Sequence, residues 1–200
     1  KIGVNINTVP VLDLLYKKKH KIIGDRSFSS KQHIVSNLGK ICVQNFKKNK
    51  IGTVIKHIPG HGRSKSDSHY KLPIIKEKFQ ILKQTDFKCF KNNKSFFAMT
   101  AHILYKKLDK RNCATLSKKI INEIIRKEIG FKGILISDDI SMKALKKNIY
   151  ENALLSLSAG CNLVLYCSGK ISESDKLLKM MPYIDEFTKK KTSEFYKFLS

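Results

Sequence analysis

The sequence predicts an α/β fold with a parallel sheet, because short apolar runs alternate along the chain with longer amphipathic segments. Five of these runs have the length of a strand and are rich in Ile, Val, Leu or Phe. Strand, helix and strand in succession is the pattern of parallel βαβ units, whose strands are buried on both faces. The length of 200 residues suits one domain, so we expect a single domain over residues 1–200.

The predicted strands end at residues that interrupt β-structure. The first run, IGVNINTV, stops at Pro10, and the second, IGTVIKHI, stops at Pro59 and Gly60. Proline cannot donate a backbone hydrogen bond, and glycine permits the turn that follows. The five predicted strands are residues 2–9, 51–58, 96–102, 133–138 and 162–167.

The segments between the predicted strands carry apolar residues at spacings of three and four, as amphipathic helices do. In one of them Ser117 is a candidate N-cap and Gly130 a candidate end. The predicted helices are residues 30–49, 117–129, 150–159 and 172–180. Residues 185–200 are a weaker helical candidate, and we expect them to form a loosely ordered basic tail.

The chain has a formal net charge of +24, which raises the question of a nucleic-acid partner. Only four of its forty basic residues are arginine, the residue that nucleic-acid surfaces usually recruit for bidentate contacts. The lysines are spread along the chain, and Ile (24) greatly outnumbers Ala (6), as in proteins of AT-rich genomes. We therefore expect no nucleic-acid partner, with a functional basic surface as the open alternative.

Three features of the sequence bear on where the protein works. No run of about eighteen uninterrupted apolar residues occurs, so we expect no membrane span. The basic cluster 17–21 follows the first apolar run instead of preceding it, which is not the order of a signal peptide. The five cysteines are odd in number and include no CxxC pair, so we expect reduced thiols in a cytoplasmic protein.

Polar side chains follow several predicted strands at the point where each strand ends. His57 falls at the end of the second strand, His102 at the end of the third, and Asp138 and Asp139 at the end of the fourth; Ser168 fits more weakly. Parallel α/β folds place their chemistry at the carboxyl ends of the strands. We therefore expect these side chains to converge on one rim.

The stretch ISDDISM, residues 136–142, offers a candidate nucleophile. A carboxylate where a buried strand meets its loop is held rigidly and faces a cleft, which suits a group that must be positioned and ionised. The alternative role is to cap a helix that starts near Ser141. We expect Asp138 to take the first role and Asp139 the second. A Mg²⁺ site is disfavoured, because no third strand-end carboxylate accompanies the pair.

The loop KHIPGHGRSKSDSHYKLP, residues 56–73, is rich in groups that can carry chemistry. They are His57, His61, Asp67 and His69. Zinc-binding histidine pairs at this four-residue spacing normally lie on a helix, which Pro59 and Gly60 prevent here, so we expect no metal. A carboxylate two residues before an imidazole suits an acid/base pair, with an idle histidine in a surface turn as the open alternative.

This loop resembles the KH(F/I)PGHG…DSH signature of family 3 glycoside hydrolases, in the β-N-acetylglucosaminidase branch. The stretch GFKGILISDDISMKAL, residues 130–145, is similar to the nucleophile segment of the same family. Three shorter stretches match in the order of the family, namely residues 4–14, 25–29 and 158–167. The resemblance implies an incomplete (β/α)₈ barrel with about five strands, beginning near the fourth strand of the family.

The resemblance also implies roles for individual residues. Asp138 corresponds to the nucleophile, and His69 to the general acid/base that is paired with Asp67. Sugar binding falls to three residues, Arg26, Lys56 and His57, and His61 is expected to shape the loop. The implied protein is a cytoplasmic, retaining exo-glycosidase without metal or cofactor, acting on N-acetylglucosaminyl muropeptides from the cell wall.

The chain departs from the family pattern in places that affect these expectations. Sugar contacts that the N-terminal third of the family supplies have no counterpart here, Thr100 replaces an expected proline, and the loop after Met142 is shortened. Five strands of a barrel leave two unpaired edges. An open sheet, an oligomer that completes the barrel and a piece of a longer or split product all stay open. So does a degenerate, non-catalytic relative or a basic protein that binds anionic polymers.

Overall fold

The computed structural model describes residues 3–16 and 22–200, and its centre is a parallel sheet flanked by helices. The strands are β1 (Ile6–Asn7), β2 (Gly52–Ile58), β3 (Ile74–Ile75), β4 (Phe97–Thr100), β5 (Leu104–Tyr105), β6 (Ile134–Asp139) and β7 (Leu163–Leu165). In the described chain, five of them form one parallel sheet in the order β1-β2-β4-β6-β7, and β3 pairs with β5. The five predicted strands are confirmed, and the small second sheet was not predicted.

The first strand is much shorter than the predicted 2–9. β1 is an edge strand that pairs on one side only, through Ile6 with Gly52 and Asn7 with Thr53. Gly3, before the strand, has a φ of 74°, which is outside the β region. With hydrogen bonds to one neighbouring strand only, the residues that flank β1 are less constrained to the extended conformation. Beyond β1 the backbone still follows β2, since the amide of Leu12 donates to the carbonyl of Lys56 at 2.7 Å.

The predicted helices are confirmed with small changes at their ends. The α- and π-helices of the described residues are α1 (Gln32–Lys48), α2 (Phe79–Gln84), a π-helix (Ile120–Glu128), α3 (Ile149–Ala159), α4 (Ile171–Met180) and α5 (Glu186–Leu199). Ser117 acts as the predicted N-cap, because its hydroxyl accepts the amide of Ile120 at 3.1 Å. The short helix α2 was not predicted, since its six residues are too few to show a clear period.

The two faces of the main sheet pack against different layers. Ile55, Ala98 and Leu135 belong to the larger core, which also contains side chains of α1 and of the π-helix. The opposite face carries Val54, Phe97 and Ile134, and it packs against α5. In a closed barrel this second face would point inward, so the described chain fills part of the inner space with a helix.

The expectation of a loosely ordered tail at 185–200 is wrong. Asp185 caps α5 by accepting the amide of Thr188 at 2.7 Å, and Phe195 is buried. Phe195 packs edge-on against Phe97 at 4.9 Å between ring centroids. The lysines of the segment face solvent while its aromatic residues recur at helical spacing, and this apolar stripe is what orders the helix.

Two further properties concern the thiols and the membrane. The five cysteines are free thiols, and Cys89, Cys113 and Cys161 are buried while Cys167 is exposed. Within residues 3–16 and 22–200, no helix combines the length and the apolar character needed to cross a bilayer.

Candidate active site

A cleft of about 440 Å³ lies at the carboxyl ends of the central strands. Its walls include five of the six residues predicted to form the site, namely Arg26, Lys56, His57, His69 and Asp138. Asp67, the sixth, is joined to His69 by a hydrogen bond of 2.8 Å. The structure therefore brings together side chains that are up to 112 residues apart in the sequence, from Arg26 to Asp138.

Two neighbouring carboxylates end β6, and they have different surroundings. Asp138 is partly exposed, and its Oδ1 accepts the amide of Asp139 at 2.9 Å. The carboxylate of Asp139 instead accepts the amide and hydroxyl of Ser141, at 3.0 and 2.7 Å, and the amide of Cys167 at 3.2 Å. Asp139 is thus engaged in shaping the loop, while Asp138 faces the cleft.

The expectation that Asp139 caps a helix near Ser141 is wrong in one respect. The residues after β6 form turns, and the next helix, α3, begins at Ile149. The carboxylate of Asp139 still accepts a backbone amide, that of Ser141, at the start of the following segment. It therefore caps a turn instead of a helix.

His69 and Asp67 form a hydrogen-bonded pair on the exposed loop. Oδ1 of Asp67 accepts both the backbone amide of His69, at 2.9 Å, and its ring Nδ1, at 2.8 Å. Burial alone would raise the pKa of Asp67, but the hydrogen bonds from His69 hold it below its usual value. An ionised carboxylate only accepts, so Nδ1 carries a proton and Nε2 is left to exchange one with a substrate.

The loop that carries this pair is tied to the loop that follows Asp138. The amide of Ala144 donates to the carbonyl of Ser68 at 3.1 Å, and the amide of Lys143 to that of His69 at 3.4 Å. The two chemical groups of the site are thereby connected through backbone contacts that no side-chain pattern in the sequence reveals.

The other end of the same loop is anchored by Arg63. Its Nε donates to Asp86 at 2.6 Å and its Nη2 to Thr85 at 3.0 Å. The guanidinium also lies over the ring of Tyr16, 4.5 Å from the ring centroid. Sequence reasoning missed this anchor, because the partners of Arg63 follow the unpredicted helix α2.

A buried carboxylate that was not predicted, Asp13, organises the histidines of the loop. Its Oδ2 lies 2.7 Å from Nδ1 of His57, and its Oδ1 accepts the backbone amide of His61 at 2.5 Å. Burial alone would raise the pKa of Asp13, but the neighbouring His57 holds it below its ordinary value. The signal in the sequence was a lone acid inside the apolar run VPVLDLL, where a buried carboxylate requires a partner.

His61 is buried beneath the loop and stays neutral. Its Nε2 lies 3.4 Å from the hydroxyl of Ser68, and its ring lies edge-on to that of His57 at 5.5 Å. Burial, reinforced by His57, lowers the pKa of His61 to about 4. This position agrees with a part in shaping the loop, as the resemblance implies.

Two cations, Lys56 and Arg26, stand on the wall of the cleft. Burial and the charge of Arg26 lower the pKa of Lys56, and the carboxylates of Asp138 and Asp13 act in the opposite direction. Arg26 is exposed and donates from Nη2 to the carbonyl of Ile22 at 2.7 Å. Cations beside a carboxylate can bind the hydroxyl and carbonyl oxygens of a polar ligand.

The expectation that His102 joins the rim is wrong. The side chain is fully buried and lies behind the cleft. Its Nε2 lies 3.0 Å from the carbonyl of Asp139, and its Nδ1 lies 2.7 Å from the hydroxyl of Thr115. Within residues 3–16 and 22–200, no three His, Cys, Asp or Glu side chains come together as ligands for a metal ion.

Comparison with known proteins connects this chain to enzymes that cleave sugars. Residues 1–191 match the model of the glycosyl hydrolase family 3 N terminal domain. The beta-hexosaminidase of Methylobacillus flagellatus is 32% identical over 181 residues, which cover 88% of this chain and 51% of that protein. The beta-hexosaminidase of Hydrogenovibrio crunogenus is 35% identical over 181 residues, covering 88% and 50% respectively.

A solved structure extends the similarity to three dimensions. NagZ from Neisseria gonorrhoeae, in complex with N-trifluoroacetyl-D-glucosamine, aligns with a TM-score of 0.84 and 28% identity over 98% of this chain and 57% of that chain. The chain spans about half the length of the curated relatives it matches. Its parallel sheet with helices is therefore a partial (β/α) barrel, which confirms the predicted fold.

Proposed function

The chain belongs to glycosyl hydrolase family 3, and we propose that it carries the catalytic groups of a retaining exo-β-N-acetylglucosaminidase. The observation that supports this most is the cleft, where the partly exposed carboxylate of Asp138 and the imidazole of His69 stand on the same cavity. Retaining glycosidases need a nucleophile and a proton donor on the two sides of one glycosidic bond.

In the first step Asp138 attacks the anomeric carbon of the terminal sugar. The bond from that carbon to the leaving oxygen breaks as a bond to the carboxylate forms, giving a glycosyl-enzyme. His69 donates the proton from Nε2 to the leaving oxygen, so the alcohol departs neutral. The Lys56 side chain lines the same cleft, and the charge of Asp138 acts to raise the pKa of its ammonium group against the effect of burial.

In the second step water replaces the carboxylate. His69, now neutral at Nε2, takes a proton from the water as its oxygen bonds to the anomeric carbon, and the bond to Asp138 breaks. Two displacements at the same carbon return the original configuration. Asp67 accepts from Nδ1 throughout, so it keeps the tautomer that both steps require and stabilises the ring when it is protonated.

A histidine suits the acid/base position because of the charges in the cleft. A carboxylic acid there would become an anion beside the departing group when it gives up its proton, whereas an imidazolium becomes neutral. An imidazole alternates between a cation and a neutral ring near physiological pH. His69 is largely exposed on a loop, so substrate binding would complete the water-excluded site.

The substrate that we propose is a β-linked N-acetylglucosaminyl residue at the end of a cell-wall fragment. Arg26, Lys56 and His57 would bind the hydroxyl and acetamido oxygens of the sugar. The peptide part of a muropeptide carries carboxylates, which a chain of net charge +24 attracts. We place the reaction in the cytoplasm, without metal or cofactor. The NagZ comparison supports the sugar, since that structure holds N-trifluoroacetyl-D-glucosamine.

The test combines turnover with covalent trapping. The purified chain should release chromophore from an aryl N-acetyl-β-glucosaminide. An activated 5-fluoro derivative of N-acetylglucosamine keeps the acetamido group and slows breakdown of the intermediate, so mass spectrometry should find one sugar on the peptide that contains Asp138.

Asp139→Asn is the matched control for trapping. It should still be labelled on Asp138, whereas Asp138→Asn should give no adduct. Absence of both turnover and adduct in the unaltered chain would contradict the proposed activity. Tight RNA binding that weakens steeply with salt, without trapping, would instead support a basic binding protein.

A further inference from the structure

We propose that His102 is a positioning residue for the nucleophile: it holds the backbone of Asp139, and that backbone holds the carboxylate of Asp138. The proposal rests on the proposed function, because it assigns a role within the same reaction. His102 follows β4 at its carboxyl end and is fully buried. It therefore acts on the reaction through the residues that it contacts.

β6 extends beyond the end of its neighbour β4, so its last residues need another partner on that side. The pairing of β4 with β6 ends at Met99 and Ile136, and the register between β6 and β7 shifts between Ile136 and Asp139. The ring of His102 reaches the Asp139 carbonyl, with 3.0 Å between Nε2 and the oxygen. The imidazole takes the place of the ladder contact that β4 no longer supplies.

The direction of the hydrogen bonds around His102 is set by the Asp139 carbonyl. A carbonyl oxygen only accepts, so Nε2 of the neutral ring carries the proton and Nδ1 is an acceptor. The hydroxyl of Thr115 has one proton and two possible acceptors, Nδ1 of His102 at 2.7 Å and the Ala101 carbonyl at 3.2 Å. It donates to the nearer one, Nδ1. The hydroxyl of Thr100 lies 2.8 Å from that of Thr115 and donates to it.

The buried surroundings keep the ring in this form. Burial lowers the pKa of His102, so the ring stays neutral over the physiological range. An apolar side chain of similar volume would fill the same space but would leave the Asp139 carbonyl and the Thr115 hydroxyl without this partner. The imidazole therefore provides a directed contact in addition to its packing.

Asp139 transmits this contact to the nucleophile. Its amide donates to Oδ1 of Asp138 at 2.9 Å, and its own carboxylate is held by Ser141 and Cys167. Fixing the Asp139 carbonyl limits rotation of its backbone and so fixes the direction of its amide. The amide of Met142 also donates to this carbonyl at 3.1 Å, so loss of the imidazole removes one of its two hydrogen bonds. With the weaker constraint the Asp138 carboxylate turns more freely, which slows attack on the sugar more than it weakens sugar binding.

His102→Asn and His102→Gln separate positioning from packing. The amide nitrogen of glutamine reaches the place of Nε2 and can donate to Asp139, whereas the shorter asparagine cannot. We expect His102→Asn to lower kcat for the aryl glycoside about 30- to 100-fold with KM within about threefold, and His102→Gln to restore kcat to within about fivefold of the unaltered chain.

Trapping with the 5-fluoro sugar tells slow attack apart from partial unfolding. The end point of labelling gives the competent fraction, and the time course gives the rate constant of the competent protein. We expect the rate constant to fall in His102→Asn and to recover in His102→Gln. Ser95→Ala, which removes a buried hydroxyl contact near the amino ends of the strands, is the control and should leave it unchanged.

Equal rate constants for His102→Asn and the unaltered chain would overturn the proposal. Thr115→Val serves as a second variant if the asparagine variant does not fold, because it keeps the packing and removes the donor to Nδ1; an unchanged rate constant there would also overturn it. Hydrogen exchange of the Asp139 amide gives a readout that needs no activity, with faster exchange expected in either variant. If the unaltered chain forms no adduct, the proposed function fails, and this exchange still decides whether His102 positions Asp139.

Discussion

The two ends of the main sheet are built from opposite kinds of residue. At the carboxyl ends the strands present ionisable groups, among them Lys56 and Asp138, to a cleft. At the amino ends Phe96 and Phe97 pack against Phe195 of α5, with ring centroids 5.2 and 4.9 Å apart. The same strands therefore carry the candidate catalytic groups at their carboxyl ends and stabilising apolar contacts at their amino ends.

This difference indicates that activity and stability are separable in the molecule. Buried polar groups at the carboxyl end need partners, as the hydrogen bond between Asp13 and His57 illustrates. Removing one partner of such a pair is costly, but the intact pair generally adds little net stability. The aromatic cluster at the amino end buries apolar area without such requirements. Substitutions in the aromatic cluster at the amino ends should therefore leave the catalytic rate nearly unchanged. Substitution of an exposed catalytic group at the carboxyl ends should leave the free energy of unfolding nearly unchanged.

The largest effect is expected from Asp138→Ala. Loss of the nucleophile should lower kcat by about 10⁴-fold or more. The side chain is partly exposed and accepts one backbone hydrogen bond, so the free energy of unfolding should change by about 1 kcal/mol or less. Hydrolysis of an aryl N-acetyl-β-glucosaminide measures kcat, and urea unfolding measures the free energy of unfolding. A variant that keeps a rate near that of the unaltered chain would remove Asp138 from the mechanism.

Phe195→Ala should give the opposite result. Truncating this buried ring leaves a cavity between α5 and the sheet, which should cost about 3–5 kcal/mol of unfolding free energy in a urea titration. The rate constant for labelling of the folded fraction should stay unchanged. Tyr196→Ala, at an exposed position of the same helix, is the control and should change stability by about 0.5 kcal/mol or less. A slower labelling rate for Phe195→Ala would show that the two ends are coupled.

The sequence predicted the parallel sheet well because its strands are short apolar runs with clear ends, such as the one before Pro59. It predicted the candidate site through two local signals, the DSH triplet that contains His69 and the acidic pair that begins with Asp138. Both signals lie within a few residues, so local reasoning reaches them. The cleft then follows from the rule that the carboxyl ends of parallel strands meet at one edge.

The missed features depend on contacts between distant residues. Arg63 is anchored by Asp86, 23 residues later, and Asp13 holds His57, 44 residues later. The tail was misjudged because its many lysines concealed an apolar stripe whose partner, Phe97, lies far away in the sequence. Periodicity shows that a face is apolar but does not show what covers it.

Mild acid should weaken the carboxyl end. The pKa of His61 is about 4 in the folded chain, against an ordinary value near 6.5. Between these values the unfolded chain binds a proton that the native chain does not, so stability should fall by about 3 kcal/mol from pH 6.5 to pH 4. The lowered pKa of His102 acts in the same direction. Urea titrations at several pH values in this range give the unfolding free energy as a function of pH. This free energy should fall less steeply with decreasing pH in His61→Asn than in the unaltered chain. An equally steep fall would contradict the lowered pKa of His61.

Asp67→Ala should produce a slow enzyme with an intact fold. Without its carboxylate the imidazole of His69 loses the partner that fixes its tautomer, and kcat should fall about 10²-fold. The loss should be greater for substrates with poor leaving groups, which depend on protonation, than for activated aryl glycosides. Lys65→Ala, at an exposed position in the same loop, is the control. A loss independent of the leaving group would separate Asp67 from the proton transfer.

Two buried hydroxyl pairs give the finest test of the comparison, because they are alike in geometry and differ in place. Thr53 and Ser95 lie 2.8 Å apart near the amino ends of β2 and β4, and Thr100 and Thr115 lie 2.8 Å apart behind the cleft. Ser95→Ala and Thr115→Val should each cost about 2 kcal/mol of unfolding free energy, since each removes a buried hydroxyl that makes at least two hydrogen bonds. Only Thr115→Val should also slow labelling of Asp138, by about three- to tenfold, because its hydroxyl acts through His102 on the nucleophile. Equal labelling rates in the two variants would mean that the hydroxyl of Thr115 matters no more to the nucleophile than that of Ser95. The location of Thr115 behind the cleft would then have no effect on the reaction.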